Sequence, residues 1–432
     1  MVGLRVADIT VEFDHGGSRT FKRSGVLDWL GKPVFVLSGP YKFNFDLEGR
    51  IRRIDGFSSP HSWDWLQRTM ANDWIYYDRA WVNDDLPVPG GFVGDLAWAV
   101  NGRTDLPMLE GHGALQRDHA RQALDAFDAL IGTIRALLKD RPEVHAAQGR
   151  AADAASTARL WAFLEKAAAN DREQLQRVAE RLYEIRGHML ALPPETIQVD
   201  YRVLVLKLMD GCINNCAFCT VRGESGFNLR DREDIDRQIE ASVEVYGDDL
   251  YNYNCVVFGE CDALVSPEIE YAANRAYERF RCGASYNEGP GLFLFATNRS
   301  LLEQSGDTFE MLEGLPFERV YINVGWEAAT DEHLAQLGKQ QTAADVLRGM
   351  EKAGAVNRAR AKVQISGNFI LEDGCGCDGI VDAIRETGYS GALYLSPLQG
   401  RCSSEQAYGD LLAIRNAAGP SVQASLYTMQ RL

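Results

Sequence analysis

Residues 202–219 read RVLVLKLMDGCINNCAFC. A short run rich in Val and Leu ends at Gly211, and Cys212, Cys216 and Cys219 follow directly. The 211 residues before them contain no cysteine. The apolar run has the length and composition of a buried strand. The C-x3-C-x2-C spacing then places three thiols in the loop that leaves it. Three are one too few for a closed structural zinc site, which takes four sulfur or nitrogen ligands. They are also one too few for an ordinary four-cysteine iron–sulfur cluster. Either a distant ligand completes the set, or the fourth position is kept for a substrate, as in catalytic metal sites. The only histidine in this half of the chain is His333, and the next cysteines are Cys255 and Cys261.

Downstream of the loop, strand-like and helix-like segments alternate. Strands are predicted at 202–208, 254–258, 292–297, 319–324, 362–371 and 392–396, all short and apolar. Helices are predicted at about 231–246, 267–281, 307–313, 341–354, 378–387 and 403–418. The connections are long enough for parallel crossovers. Strands apolar on both faces, alternating with helices, indicate a parallel sheet covered by helices. Six units predict an α/β fold, a partial (β/α)6 TIM-like barrel. The cysteine loop follows its first strand, at the C-terminal strand end where such barrels build active sites.

The first 195 residues differ in character. They hold six of the seven histidines. Ile9, Val11 and Phe13 alternate with polar residues, as do Phe43, Phe45 and Leu47 before a Glu-Gly turn and then Ile51 and Ile54, which predicts a hairpin. A loop-rich stretch spans about 83–114 around LPVPGG. Leu124, Phe127, Ile131, Ile134 and Leu138 predict one amphipathic helix, and Leu175, Val178, Leu182, Ile185 and Met189 a second. Pro193-Pro194 marks a boundary. The expected organisation is an N-terminal α+β accessory domain over 1–195 and the barrel over 196–432. SSPHSWDWLQ (58–67) mixes aromatic and polar residues, which suits ring stacking; a helix start with buried tryptophans is the preferred reading.

Composition sets limits. The chain is 46% hydrophobic and 25% charged, ordinary for a globular protein. A net charge of −16 argues against a broad nucleic-acid surface, which needs Lys and Arg to neutralise phosphates. MVGLRVADITVEFD lacks a basic n-region and an apolar h-region, so it is not read as a signal peptide. No run approaches a membrane span. A cytoplasmic protein with thiols or metal ligands rather than disulfides is expected.

The motifs together resemble the radical SAM superfamily over about 201–400. Members bind a [4Fe–4S] cluster through C-x3-C-x2-C, and S-adenosylmethionine chelates the fourth iron. The resemblance implies that Cys212, Cys216 and Cys219 are the cluster ligands and that Phe218, the aromatic residue before the last cysteine, packs near the adenine. Phe258-Gly259-Glu260 is similar to the Gly-Gly-Glu motif after the second strand, with its first glycine replaced; Gly259 and Glu260 would meet the methionyl amine. A glycine lets a ligand approach the backbone, and a carboxylate offsets an ammonium charge. VGWEAATDEHLAQLGKQQT resembles the loop after the fourth strand, which assigns Glu327 to the ribose hydroxyls. Ile365-Ser366-Gly367 resembles the I-x-G segment against the adenine, although the later Glu of that motif is Ile370 here. Asn298, ending the third strand, is a further cofactor candidate. Lys339 and Arg222 are candidates for the cofactor carboxylate, with solvated loop charges as the preferred reading.

The resemblance implies reductive cleavage of S-adenosylmethionine to a 5′-deoxyadenosyl radical that abstracts hydrogen from a substrate. An oxidoreductase or lyase acting on a small molecule is expected, with a sugar or aminoglycoside-like polyol in a biosynthetic pathway as the candidate. Dehydration, deoxygenation, dehydrogenation and epimerisation share the first step. An external electron donor such as flavodoxin or ferredoxin is implied. No residue is assigned to the later chemistry. Methylthiotransferases are discounted because 1–211 lack cysteine. Cobalamin-dependent members are discounted because Asp14-His15-Gly16-Gly17 does not fit Asp-x-His-x-x-Gly, and peptide-maturing members because no cysteine-rich C-terminal extension follows. Cys375, Cys377 and Cys402, with Cys255, Cys261 and Cys282, leave open an auxiliary cluster, a redox thiol, or inert structural cysteine, the last preferred. The competing readings are a modifier of peptide or RNA and a non-catalytic metal-binding module.

Overall fold

The computed structural model describes residues 2–14, 31–59, 62–68, 74–77, 98–99, 113–146, 149–187, 192–199, 202–214, 216–219, 226–259, 261–374, 377–398 and 401–427. Two sheets organise them. The first is antiparallel: β1 (Val2–Val6), β2 (Ile9–Phe13), β3 (Val34–Ser38), β4 (Tyr41–Phe45), β5 (Ile51–Ser59), β6 (Ser62–Arg68), β7 (Trp74–Tyr77) and β8 (Trp98–Ala99) pair in chain order, and β9 (His145–Ala146) extends the β1 edge. Alternation decides its faces. Leu4, Val6, Ile9, Val11, Phe43, Phe45, Ile51 and Ile54 point one way, onto α1 (Gly113–Asp140) and α2 (Ala154–Ala169). The hairpin read from Phe43 to Ile54 is β4–β5, with a bulge at Asn44/Phe45.

Two local expectations change here. Residues 62–68 are a strand, not a helix start: Trp65 lies across from Tyr77 and Asp55, and the Arg53 guanidinium stands 4.5 Å from its ring centroid. The W-D-W alternation suits a pleated strand better than a helical stripe. Between the two predicted helices, α1 and α3 (Arg172–Arg186), lies α2, where Leu160, Trp161, Phe163 and Leu164 bunch together and mask the 3–4 spacing. Most of the 83–114 loop lies outside the described residues.

The second sheet is parallel and has seven strands. They are β10 (Leu204–Leu206), β13 (Cys255–Phe258), β14 (Gly291–Thr297), β15 (Arg319–Glu327), β16 (Val363–Leu371), β17 (Gly391–Pro397) and β18 (Val422–Leu426), in that spatial order. A small hairpin, β11 (Met209–Asp210) with β12 (Asn228–Leu229), brackets the cysteine loop. The covering helices are α4 (Arg232–Tyr246), α5 (Ile269–Arg279), α6 (Asn298–Glu303), α7 (Gly306–Gly314), α8 (Asp331–Gln336), α9 (Ala343–Ala359), α10 (Asp378–Thr387) and α11 (Ser404–Ala418). This is the partial TIM-like arrangement of strands and helices, extended past the six predicted strands by β18. Its sequence, VQASL, carries a polar residue at every second position and lacks the apolar density of the others.

Successive side chains sort to the two faces of the parallel sheet. Leu204, Leu206, Val256, Phe258, Leu292, Leu294, Val320 and Ile322 pack under the helices. Val205, Cys255, Val257, Phe293 and Tyr321 face inward with Leu192, Val199 and Val203, and the Phe293 and Tyr321 rings stack at 5.1 Å. Further along, the inner face turns polar. Glu195, on the turn Pro194–Val199, reaches in from below and accepts hydrogen bonds from Ser366 Oγ and from Asn323 Nδ2, the latter at 3.4 Å. Asn323 Nδ2 also donates to Ser366 Oγ at 2.8 Å, and Asn368 Nδ2 donates to Asn323 Oδ1 at 2.5 Å. Glu195 Oε2 has no hydrogen-bond partner among the described residues.

Burial pushes the Glu195 carboxyl above its ordinary range, against the hydrogen bonds from Ser366 and Asn323. A carboxyl raised on folding binds its proton more tightly in the native state. Its contribution is therefore full below the unfolded pKa of about 4.3 and is lost as pH rises through the raised native value. Glu195→Gln cannot ionise and should remove that slope. Urea titrations at pH 5 and pH 8 check this: the wild-type protein should lose stability between them relative to the variant, and parallel behaviour would show that Glu195 is not the titrating group.

The N-terminal sheet meets the parallel sheet at its lower edge. The Arg52 guanidinium pairs with the fully buried Asp249 carboxylate and donates to Tyr253 Oη at 3.0 Å. Leu47 N donates to Asp249 Oδ1 at 3.1 Å, and Arg50 Nη1 to the Val245 carbonyl at 2.8 Å. All of these partners lie from the last turn of α4 to the start of β13, at the N-terminal ends of the parallel strands.

Candidate functional site

The loop after β10 leaves the sheet at the level of Gly259, whose N–H donates to the Leu206 carbonyl at 3.2 Å. Gly211 turns the chain with φ +70°, and a Cβ there would run into the Gly226 carbonyl. Only glycine fits both conditions. Arg230 closes the base of the loop on Asp210, at 2.7 Å and 2.9 Å. The Ala217 N–H donates 2.9 Å to the Leu337 carbonyl, which ties the loop to the end of α8. Cys216 is buried and Cys212 and Cys219 are half-buried, and no disulfide engages them.

Their environments differ. The Cys212 thiol is lowered to about 6, first by a hydrogen bond from Cys261, with help from the Asn214 N–H at 3.4 Å and the nearby Lys339 charge, against burial. Burial pushes the Cys216 thiol up, against the same Lys339 charge. Thiolates are the metal-binding form, so a lowered thiol suits a ligand. Among the described residues, no three His, Cys, Asp or Glu side chains gather around one ion.

Lys339 is the largest departure from the sequence reading. It is not a solvated loop charge. Its side chain is only 8% exposed, its Nζ lies 3.2 Å from Glu327 Oε1, and it donates to the Gly325 carbonyl at 3.2 Å. Gly338, with φ +68°, turns the chain inward just before it. Burial pulls the Lys339 ammonium down, but Glu327 and the Cys216 and Cys212 thiols outweigh it, so its pKa is raised. A Cβ at Gly325 would run into Glu327 Oε1 and would stand 3.1 Å from Lys339 Nζ, so glycine leaves room for the pair. Glu327 itself has φ +68° at the bulge that ends β15. A non-glycine residue in that region costs about 1–3 kcal/mol and persists where the surroundings enforce it, often at functional sites.

The other predicted residues divide. Gly259 lies beside the loop, and Phe218 is half-buried against the barrel core. Glu260, Arg222 and Cys375 lie outside the described residues. Asn298 is buried on the helix side: Nδ2 donates 2.8 Å to the Asp345 carbonyl, and Oδ1 accepts from Trp326 Nε1 at 3.2 Å. It fastens α9 to β15 and does not face the cysteines. Ile365 is likewise packed under the helices, with its backbone held by Asn357 and Tyr389. Alternation along β16 sends Ser366 and Asn368 inward instead. Cys255 and Cys282 are buried; Cys255 is pushed up to about 12 by burial, and Cys282 rises further for the same reason. Both read as inert core.

A cavity of about 450 Å³ opens at the C-terminal ends of β15 and β16, lined by Ala328, Thr330, His333, Gln336, Ile370 and Asp373 among others. His333 Nε2 lies 3.0 Å from Glu372 Oε2, and Arg401 Nη1 holds the other oxygen at 3.2 Å. Sequence reasoning missed this pair because its members stand 39 residues apart. The one available signal was a Glu closing a strand at the mouth.

The family model of the Radical SAM superfamily matches residues 206–367. No curated protein matches the chain by sequence. Among solved structures, it is similar to a radical SAM methyltransferase from Sphaerobacter thermophilus, with 14% identity and a TM-score of 0.35, over 51% of this chain and 64% of that one. It is also similar to the radical S-adenosylmethionine methyltransferase TsrM from Kitasatospora setae, with 12% identity and a TM-score of 0.33, over 46% of this chain and 38% of that one. A third is OxsB, a cobalamin-dependent S-adenosylmethionine radical enzyme, with 14% identity and a TM-score of 0.32, over 53% of this chain and 33% of that one. The chain thus spans less than two thirds of each.

Proposed function

We propose that the radical SAM domain of residues 206–367 makes this protein an enzyme that uses a [4Fe–4S] cluster and S-adenosylmethionine to remove a hydrogen atom from a small polar substrate. The observation that carries this reading is the cysteine loop, with Cys212 lowered to about 6, beside a buried Lys339–Glu327 pair at the C-terminal ends of the strands. The donor set fits the cluster: three thiols on one tethered loop and an adjacent buried cation. When bound, the cluster and cofactor supply one-electron chemistry that the side chains cannot.

The chain's own residues then bind, orient and exclude water. Cys212, Cys216 and Cys219 hold the cluster. The Lys339 ammonium offsets thiolate charge and can meet a carboxylate of the cofactor, while Glu327 fixes its position. The cavity beside His333 offers room for the adenosine half. Asn368, half-buried at the upper end of the polar inner network, presents hydrogen-bonding groups to a substrate. Such a lining suits a polyhydroxylated molecule, a sugar or aminoglycoside-like polyol, better than an apolar one. Oxidoreductase and lyase outcomes share this first step. The domain that ends near residue 195 serves as scaffold at the lower edge.

Anaerobic reconstitution with ferrous iron and sulfide, followed by dithionite and S-adenosylmethionine, tests the proposal. A brown protein that releases 5′-deoxyadenosine and methionine is expected. A colourless protein retaining one tightly held zinc would sink it in favour of the metal-binding module.

A further inference from the structure

Above its floor the parallel sheet stays open on the inner face. Phe295 on β14, Gly325 on β15 and Asn368 on β16 are half-buried there, whereas their neighbours along each strand are buried. The register sets Gly325 beside Asn368, and Asn368 beside Tyr394 of β17. Alternation turns these positions inward, away from Phe369, Leu393 and Leu395 under the helices. Lys339 and Glu327 reach over Gly325, so the open positions run on directly from the pair beside the cysteine loop.

Asn368 is not loose in this opening. Glu195 Oε1 accepts the Ser366 hydroxyl proton, which leaves Ser366 Oγ to accept an Asn323 N–H at 2.8 Å. Asn323 therefore turns its Oδ1 towards Asn368 and accepts from Asn368 Nδ2 at 2.5 Å. Asn323 Nδ2 also stands 3.4 Å from Asn368 Oδ1. Each amide is fixed by the group below it, and Asn368 keeps one N–H and a second acceptor position on Oδ1 for the opening. The Tyr394 ring stands edge-on to Tyr427 at 6.2 Å, and no described residue hydrogen-bonds its hydroxyl. Tyr394 is only 8% exposed, and buried tyrosine hydroxyls usually find a partner. Burial pushes this phenol well above its usual range, so it stays a donor.

Lys339 and Glu327 offset each other's charge, and the groups beyond them are an amide, a phenol and the Phe295 ring. A charged ligand group would meet no counter-charge there, and burying an unpaired charge is costly. A ring hydroxyl both donates and accepts, which matches what Asn368 and Tyr394 leave unmet. We propose that Asn368 and Tyr394 hold a neutral, unphosphorylated, hydroxyl-bearing ring on the inner face of the barrel, with Glu195 as the positioning residue that fixes the Asn368 amide from below. This rests on the functional reading above and narrows its substrate class.

The probe is myo-inositol, a ring with a hydroxyl on every carbon, and its charged counterpart is myo-inositol 1-phosphate. The full chain is reconstituted anaerobically with ferrous iron and sulfide, loaded with S-adenosylmethionine and titrated with each by calorimetry. The wild-type protein should bind myo-inositol, and the phosphate at least about tenfold more weakly. Asn368→Ala and Tyr394→Phe should each weaken myo-inositol binding by about fivefold, the size of one neutral hydrogen bond. Tyr394→Phe removes a single oxygen and keeps the test open should Asn368→Ala not fold. Glu195→Ala should weaken binding by a similar factor, and Glu195→Gln, which still accepts from Ser366, should restore it. No binding to a wild-type protein that holds its cluster and cleaves S-adenosylmethionine overturns this inference alone. So does equal binding of the phosphate, or unchanged binding in the Asn368 and Tyr394 variants at equal melting temperature. Unchanged binding in Glu195→Ala, or no recovery in Glu195→Gln, overturns the positioning role. A wild-type protein without a four-iron cluster overturns the functional proposal, and this inference with it.

Discussion

Cys216→Ala should leave a folded protein that does not hold a four-iron cluster. The side chain is 6% exposed, and losing one sulfur from that position costs about 1 kcal/mol of burial, too little to unfold a chain of this size. The loop keeps its backbone ties, since the Ala217 N–H still reaches the Leu337 carbonyl and Arg230 still pairs with Asp210. What disappears is one of three thiolates. Loss of an outer partner of a metal ligand typically costs 10–100-fold in affinity or activity, so loss of a ligand should exceed about 100-fold. Cleavage of S-adenosylmethionine should fall accordingly, with circular dichroism and melting unchanged. Cys255→Ala and Cys282→Ala are the controls, because both thiols lie in the core with pKa values raised by burial. They should cost stability and leave the brown chromophore intact. Full iron and sulfide content in Cys216→Ala would remove that residue from the ligand set.

How much of this could be read beforehand depends on the range of the contact. The cysteine loop and the alternation of strands with helices are local in sequence, and spacing and periodicity carry them. Contacts across the fold left little trace. Lys339 reads as a loop charge until Gly338 is seen to turn it inward and Gly325 is seen to leave it room. Asn298 and Ile365 read as cofactor candidates from their motifs, whereas in the fold Asn298 opens α6 and bonds Asp345 and Trp326, and Ile365 packs under the helices. A one-residue phase decides which side of a strand a side chain occupies. A bulge between Gly325 and Glu327 shifts that phase next to the site. Glu195 reaches the inner face from outside the barrel strands, so no strand pattern could announce it.

Lys339→Met should destabilise the protein strongly and also abolish activity, and the two effects should separate in a double variant. The ammonium and the Glu327 carboxylate are buried together, with side chains 8% and 11% exposed. Removing one partner of such a pair leaves the other charge uncompensated and costs about 3–5 kcal/mol. Replacing both by uncharged groups of similar shape is far cheaper. Lys339→Met/Glu327→Gln should therefore recover most of the stability lost by Lys339→Met in urea titrations. It should not recover cluster reduction or cleavage of S-adenosylmethionine, because the cation beside Cys212 and Cys216 is still missing. The wild-type pair has its own pH signature. Lys339 is raised in the native state, so its stabilisation is full below the unfolded value of about 10.4 and is lost as pH rises through the higher native one. The double variant should lack that alkaline slope. Recovered activity in the stable double variant would reduce Lys339 to a structural counter-ion for Glu327. Lost activity at restored stability would assign the ammonium to the chemistry of the cysteine loop.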